Sequence, residues 1–98
     1  MSIEIDLESL RQELIVLLKA YLADKTDVRL RGRMVSLYER VGYGGSSLFD
    51  KEINQALGLI EDLGYKVNEI TNIPLIKDEL IIDLISKLES LKVRKPFQ

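Results

Sequence analysis

The sequence predicts an all-α protein, an antiparallel four-helix bundle. Apolar residues recur at steps of three and four in four separate stretches, which is the spacing of a helix with one buried face. Polar, glycine-rich or proline-containing segments separate these stretches, and only one of the connections reaches about ten residues. Four amphipathic helices with such connections bury their apolar faces well as an antiparallel bundle. Since 98 residues provide one core, we expect residues 1–98 to form a single helical domain.

The first helix is predicted over residues 7–23. Its apolar positions keep the helical spacing up to a polar break, and they are Leu7, Leu10, Leu14, Leu17, Leu18 and Tyr21. Asp6 comes directly before this stripe and is a favourable N-cap. Glu8 lies in the first turn, where the helix dipole favours an acid.

The second helix is predicted over residues 27–41, with Thr26 as its N-cap. Its apolar stripe consists of Leu30, Met34, Leu37 and Val41. Gly32 lies inside this stretch and costs about 1 kcal/mol relative to alanine. A glycine at that position makes sense where another helix packs closely against it.

The third helix is predicted over residues 48–63. Three glycines in four residues precede it, and the segment 42–47 is therefore interpreted as a connector from which Ser46 or Ser47 caps the helix. The apolar positions are Phe49, Ile53, Ala56, Leu57, Ile60 and Leu63. Gly64 follows the last of them and suits the left-handed residue that ends many helices.

The fourth helix is predicted over residues 76–91, after a segment, residues 65–75, that reads equally as a linker or an edge strand. Its apolar face is the broadest in the chain and comprises Leu80, Ile81, Leu84, Ile85, Leu88 and Leu91. Acids stand at its beginning and bases at its end, which is the order that the helix dipole favours.

The composition argues against catalysis. The chain contains neither cysteine nor histidine, which excludes a disulfide framework, a Cys-ligated zinc site, a thiol nucleophile and the commonest general base. Glu61 and Asp62 are adjacent and point to different sides of a helix, so they form a poor catalytic pair. We therefore expect no enzyme activity, no cofactor and no metal site.

The charges are unevenly distributed. The net charge is only −2, yet residues 50–83 contain eight acids and three bases. If the chain folds back along the bundle, a single anionic patch results that suits a cationic protein surface. The equally plausible reading is that Asp78 and Glu79 only favour a helix N-terminus and the other acids are solvated. The residues predicted to bind a partner are Glu61, Asp62, Tyr65, Glu69, Asp78, Glu79 and Asp83.

Two other partner classes are not expected. Arg29, Arg33 and Arg40 form a row on the second helix, but they lack interleaved aromatic rings and belong to a net-acidic chain, so we expect no nucleic-acid binding. No stretch approaches the roughly 20 apolar residues that span a bilayer, and the acidic N-terminus is unlike a secretory signal. We expect a cytoplasmic protein without membrane contact.

Two parts of the chain resemble the colicin D immunity family. The first is the segment 17–26, where an aromatic-apolar helix end runs into a short polar turn, and the second is the segment 76–80 followed by Leu84, Leu88 and Leu91. The resemblance implies a cytoplasmic helical bundle that occludes the active cleft of a tRNA-cleaving toxin. Its carboxylates, here Asp78 and Glu79, stand in for RNA phosphates against basic residues of the toxin.

Other classes of small helical protein have the same arrangement of helices and leave alternatives open. Immunity proteins of contact-dependent inhibition systems and of peptide bacteriocins are similar small helical proteins. A non-catalytic helical adaptor or regulatory module, as a monomer or as a dimer through leftover apolar surface, belongs to a different class of function. Its gene need not adjoin a toxin gene, whereas an immunity gene is expected directly downstream of one.

Overall fold

The structure, a computed structural model, describes residues 6–41, 49–65 and 76–92. These residues form four α-helices and no strand: α1 (Leu7–Ala23), α2 (Val28–Val41), α3 (Lys51–Tyr65) and α4 (Asp78–Ser90). The predicted all-α class is thereby confirmed. The glycine-rich segment 42–47 with its proposed serine cap, and residues 66–75 of the predicted linker, lie outside the described residues.

α1 begins and ends where the sequence predicts, at residues 7 and 23. The Asp6 carboxylate caps it by accepting the backbone N–H groups of Glu8 at 3.0 Å and of Ser9 at 3.4 Å. The Ser9 hydroxyl also donates to Asp6, and these hydrogen bonds lower the pKa of the Asp6 carboxyl group. The predicted cap is therefore confirmed.

The cap of α2 differs from the prediction. Asp27, not Thr26, accepts the backbone N–H groups of Arg29 at 2.9 Å and Leu30 at 3.4 Å. Thr26 instead donates its own N–H and its hydroxyl to Asp24, at 3.0 and 2.7 Å. Aspartate and threonine are both good N-caps. Thr26 does not cap α2 because its N–H and hydroxyl groups take part in the local turn at Asp24.

The bounds of α3 differ by two or three residues from the predicted 48–63. The helix begins at Lys51, after Phe49 and Asp50, and it continues through Gly64 to Tyr65. Gly64 is therefore inside the helix and is not the left-handed residue that ends it. The prediction of a glycine stop was wrong because this glycine serves packing: a Cβ built on it would lie 2.8 Å from Cγ2 of Val35 on α2.

The close approach of helices occurs at Gly64 and not at Gly32, where a close neighbour was expected. No atom comes within 4 Å of a Cβ built on Gly32, which lies on the exposed side of α2. The clearance at Gly64 allows the end of α3 to lie against the backbone of α2 at Arg31 and Val35. The same substitution must therefore have different effects at the two glycines.

The buried residues of all four helices belong to one hydrophobic cluster. The most completely buried large side chains are Tyr21, Leu14, Leu17, Leu18, Met34, Ile53, Leu57, Ile60, Leu63, Ile81 and Leu88. Among the described residues no polar or charged side chain belongs to the buried class. Polar contacts between helices therefore lie at the edges of the core, and they determine how α4 is held.

Candidate functional site

The outward face of α4 combines carboxylates with exposed apolar side chains. The buried positions Ile81, Leu84, Ile85 and Leu88 attach the helix to the core. That attachment leaves four neighbouring side chains in solvent, and we call them the α4 face: Glu79, Leu80, Ile82 and Asp83. Leu80 is 63% exposed and Ile82 is 56% exposed, whereas Leu80 was predicted to belong to the buried face.

The reason for the difference at Leu80 is the width of the contact. Leu80 lies directly beside Ile81 in the sequence, so it points about 100° away from the centre of the buried stripe. A helix covered on all sides would bury it, but α4 is attached by one stripe only. Leu80 and Ile82 are two residues apart, so they lie on opposite sides of the row that Glu79 and Asp83 form, and each edge of this carboxylate row has an exposed apolar side chain beside it.

Three polar contacts with α1 and the turn after it fix the position of α4. Arg11 donates through Nη1 to the carbonyl oxygen of Leu88 at 2.8 Å, which satisfies a carbonyl group at the end of α4. Lys19 contacts the Glu89 carboxylate at 3.0 Å. Lys25 contacts Asp78 at 2.9 Å, at the beginning of α4.

Arg11 is held in this position by Glu8. Its Nε donates to Glu8 Oε1 at 3.0 Å, and its Nη2 also pairs with the Glu8 carboxylate. The hydrogen bonds from Arg11, followed by that from Gln12, lower the pKa of the Glu8 carboxyl group. The guanidinium therefore links the first turn of α1 to the last turn of α4.

Asp78, a predicted partner-binding residue, contributes to the fold. Its carboxylate is half-buried and accepts the hydrogen bond from Lys25, which raises the pKa of the lysine. The hydroxyl group of Tyr21 lies close to this pair, and burial is the main cause of its raised pKa. Because Asp78 is already bound to a cation of its own chain, it has less capacity to receive one from a partner than Glu79 has.

Glu79 and Asp83 are the two predicted acids with the most accessible carboxylates on α4. Both residues are exposed. Within the described ranges Glu79 makes no hydrogen bond or ion pair, whereas Asp83 contacts Lys87 one turn later at 3.0 Å. A surface pair of this kind contributes little to stability and exchanges easily for another cation.

Two of the predicted residues of α3, Tyr65 and Glu61, lie on the side of the helix that faces α2. Tyr65 donates its hydroxyl hydrogen to Glu39 at 2.7 Å, and its ring packs edge-on against Tyr38 with 6.0 Å between the ring centres. Glu61 precedes Tyr65 by four residues and Gly64 by three, so it shares their side of α3.

The remaining two predicted acids are Asp62 and Glu69. Asp62 is half-buried, and Glu69 lies outside the described residues. Of the predicted partner-binding residues that the structure describes, Glu79 and Asp83 share one exposed face of α4 and Asp78 borders it, whereas Glu61 and Tyr65 lie on the side of α3 that faces α2. Leu80 and Ile82 were not part of the candidate site predicted from the sequence: Leu80 was assigned to the apolar face of the helix, and Ile82, outside that face, had no assigned role.

Other site classes find little support in the described ranges. No group of three or more His, Cys, Asp or Glu side chains there is placed to hold a metal ion. None of the helices within these ranges is long and apolar enough to cross a bilayer. A shallow depression between α3 and α4 is lined by Glu52, Ser86, Lys87, Ser90 and Leu91.

Comparisons with protein-family models, with curated proteins and with solved structures find no match to this chain.

Proposed function

We propose that this protein is an immunity protein, which binds the cognate nuclease domain of a bacterial toxin and occludes its active cleft. The observation that carries the proposal is the α4 face, where two exposed carboxylates one turn apart are flanked by an exposed apolar side chain on either side. Such a surface suits a protein partner with a basic centre and apolar side chains beside it.

The chemistry of the partner follows from the charges. A nuclease holds its polyanionic substrate with lysine and arginine side chains, so its cleft attracts carboxylates that are presented at a fixed spacing. Glu79 and Asp83 are one helical turn apart, about 6 Å along the axis, a distance comparable to that between neighbouring phosphates. We infer that these two residues make the main charged contacts, with Asp78 positioning the helix through Lys25.

The resemblance of the segments 17–26 and 76–80 to colicin D immunity proteins suggests the toxin class, a nuclease that cleaves tRNA. Under this proposal the protein acts in the cytoplasm, where that substrate is found. The proposal also retains Glu61, Asp62, Tyr65 and Glu69 as outer contacts for a toxin large enough to extend beyond α4.

We further propose that the four helices form an antiparallel bundle. Supporting contacts join the first half of α1 to the end of α4 through Arg11 and Leu88, and the turn after α1 to the beginning of α4 through Lys25 and Asp78. Arg40 at the end of α2 contacts Glu13 in the first half of α1 at 2.7 Å, which is the relation expected of two opposed helices.

The test is protection of cells against the toxin domain encoded directly upstream of the gene. The wild type is co-expressed with that domain, beside the variant Glu79→Gln/Asp83→Asn. A matched control, Ala23→Lys/Gln55→Lys, raises the net charge by the same two units at exposed positions on α1 and α3. We expect full protection by the wild type and the control, and weaker protection by the α4 variant.

Purified components show the cause of the effect. Loss of the two carboxylates should reduce the association rate by about tenfold at low salt, and added salt should reduce the difference from the wild type. If the wild type gives no protection, the immunity proposal fails. If it protects and the α4 variant protects equally well, the protein binds its toxin through another face.

A further inference from the structure

The outward face of α2 carries a pair of arginines that the fold does not use. Arg29 and Arg33 are both exposed, and within the described ranges neither guanidinium makes a hydrogen bond or an ion pair. Arg40, which continues the row, is bound to Glu13 at 2.7 Å. The free part of the row is therefore restricted to the first two turns of α2.

The surface beside these arginines is recessed, because one position there has no side chain, and it is partly apolar. Gly32 leaves an open space on the exposed side of the helix, since nothing lies within 4 Å of the position of a Cβ. Val28, one turn before Gly32, is 73% exposed. The first two turns of α2 thus present two cations beside a shallow surface depression at Gly32 that borders the exposed Val28. We call this surface the α2 face: Val28, Arg29, Gly32 and Arg33.

The α2 face and the α4 face have complementary charges at the same spacing. Arg29 and Arg33 are four residues apart, as are Glu79 and Asp83, and four residues of helix rise about 6 Å. Two helices lying side by side can therefore pair both arginines with both carboxylates at once. The same alignment lets Leu80 or Ile82 of one surface occupy the space that Gly32 leaves on the other.

We propose that the α2 face of one copy of this protein docks on the α4 face of a second copy. Asp83 keeps enough acceptor capacity for this contact, because a carboxylate has two oxygens and its present partner Lys87 is an exposed side chain. The association is weak and sensitive to salt, since exposed ion pairs contribute little each and only a few apolar side chains are covered.

The two docking surfaces are different, so the contact is head-to-tail and every molecule has one of each. Such contacts produce rings when the rotation closes and open chains when it does not. The α4 face is the surface assigned above to the toxin. Self-association therefore covers the toxin-binding face until a tighter partner displaces the second copy, although it does not itself depend on the existence of a toxin.

Sedimentation velocity of the full chain tests the proposal at 20 mM and at 500 mM NaCl, with protein concentrations up to the order of 1 mM. We expect the sedimentation coefficient to rise with concentration at low salt and to remain that of an 11.2 kDa monomer at high salt. Circular dichroism and thermal unfolding check that each variant described below is folded.

Charge reversal identifies the two surfaces. The variant Arg29→Glu/Arg33→Glu has two acidic faces and the variant Glu79→Lys/Asp83→Lys has two basic ones, so each alone should stay monomeric. Mixed in equal amounts, the two variants should associate again, because the unchanged α4 face of one meets the unchanged α2 face of the other. The control Ala23→Lys/Gln55→Lys should associate as the wild type does.

Three results would overturn the proposal: a wild type that stays monomeric at low salt, a reversed variant that still associates alone, or a mixture that stays monomeric. These outcomes are separable from a failure of the proposed function. Arg29→Glu/Arg33→Glu should lose self-association and still protect against the toxin, whereas Glu79→Lys/Asp83→Lys should lose both. Protection without any self-association would leave the immunity proposal intact and refute only this one.

Discussion

Replacing Gly64 by alanine should destabilise the protein, although alanine is the better helix former. The added Cβ would lie 2.8 Å from Val35 Cγ2 and 3.4 Å from the Val35 backbone nitrogen. Val35 is β-branched and belongs to the neighbouring helix, so it cannot yield by moving the end of a long side chain. Either α2 and α3 must separate or Val35 must leave its preferred rotamer.

The size of the effect follows from two opposing contributions. Overpacking of this kind typically costs about 1–3 kcal/mol. Alanine gains about 0.5–1 kcal/mol over glycine within a helix, and less near the end of one, where Gly64 lies. We therefore expect a net loss of about 1–2 kcal/mol in the free energy of unfolding. In a domain of this size each kcal/mol corresponds to a fall of about 4–8 °C in the melting temperature.

Urea denaturation of a matched set measures the effect. Gly58→Ala lies in the same helix and Gly32→Ala in α2, and a Cβ built on either glycine finds nothing within 4 Å. Both control substitutions should stabilise the protein by about 0.5–1 kcal/mol. The difference between the variants at Gly58 and Gly64 then reports the contact with α2 together with the smaller gain in helix propensity at the helix end.

A double-mutant cycle assigns the loss to Val35. Val35→Ala removes the methyl group that a Cβ at Gly64 would meet. The double variant Gly64→Ala/Val35→Ala should therefore be more stable than the sum of the two single changes predicts, by about 1 kcal/mol. If Gly64→Ala stabilises the protein as much as Gly58→Ala does, the end of α3 does not pack on α2 in this way, and the description of that contact is wrong.

The cap of α2 and the acid stability of the protein provide two further predictions. Asp27→Ala should cost about 1 kcal/mol in the free energy of unfolding, because its carboxylate accepts two N–H groups of the helix. Thr26→Ala should cost clearly less free energy of unfolding in the same urea titration. If Thr26→Ala cost more than Asp27→Ala, Thr26 would be the cap of α2 after all. Hydrogen bonds lower the pKa values of the Asp6, Glu8 and Asp24 carboxyl groups below the ordinary values, which are 3.8 for aspartate and 4.5 for glutamate. The three carboxylates therefore contribute fully to stability at a pH above these ordinary values. This contribution is lost as the pH falls below them. Because the chain has no histidine, the melting temperature should stay nearly constant between pH 6 and 9 and should decrease when the pH is lowered beyond about 4.5. A marked decrease in the melting temperature between pH 7 and 6 would contradict this assignment.

The sequence by itself determined the helical class, the positions of the four helices and most of the core. Apolar spacing is a local signal, because each helix must turn one face inward whatever its neighbours are. This is why the bounds of α1 were predicted without error, and why Leu14, Met34, Ile53 and Leu88 were assigned to buried faces. The local hydrogen-bonding capacity of Asp6 likewise identified the cap of α1.

The candidate site could be predicted only in part. The acidic character of residues 50–83 is visible in the sequence, and so is the position of Glu79 and Asp83 on one helix. Which carboxylates remain available is a property of pairing between helices: Lys25, 53 positions away in the sequence, binds Asp78. The side of the molecule on which Glu61 lies depends in the same way on how α3 packs on α2.

Tertiary structure alone decided the roles of Gly64, Leu80 and Arg11. A glycine near a helix end reads as a stop signal until a neighbouring valine shows that it is a point of close approach. Leu80 reads as core until the width of the buried stripe is known. Arg11 reads as a solvated charge until its guanidinium meets the carbonyl of Leu88, 77 positions later. In each case the deciding factor is where the neighbouring helices lie, and local periodicity contains no information about that.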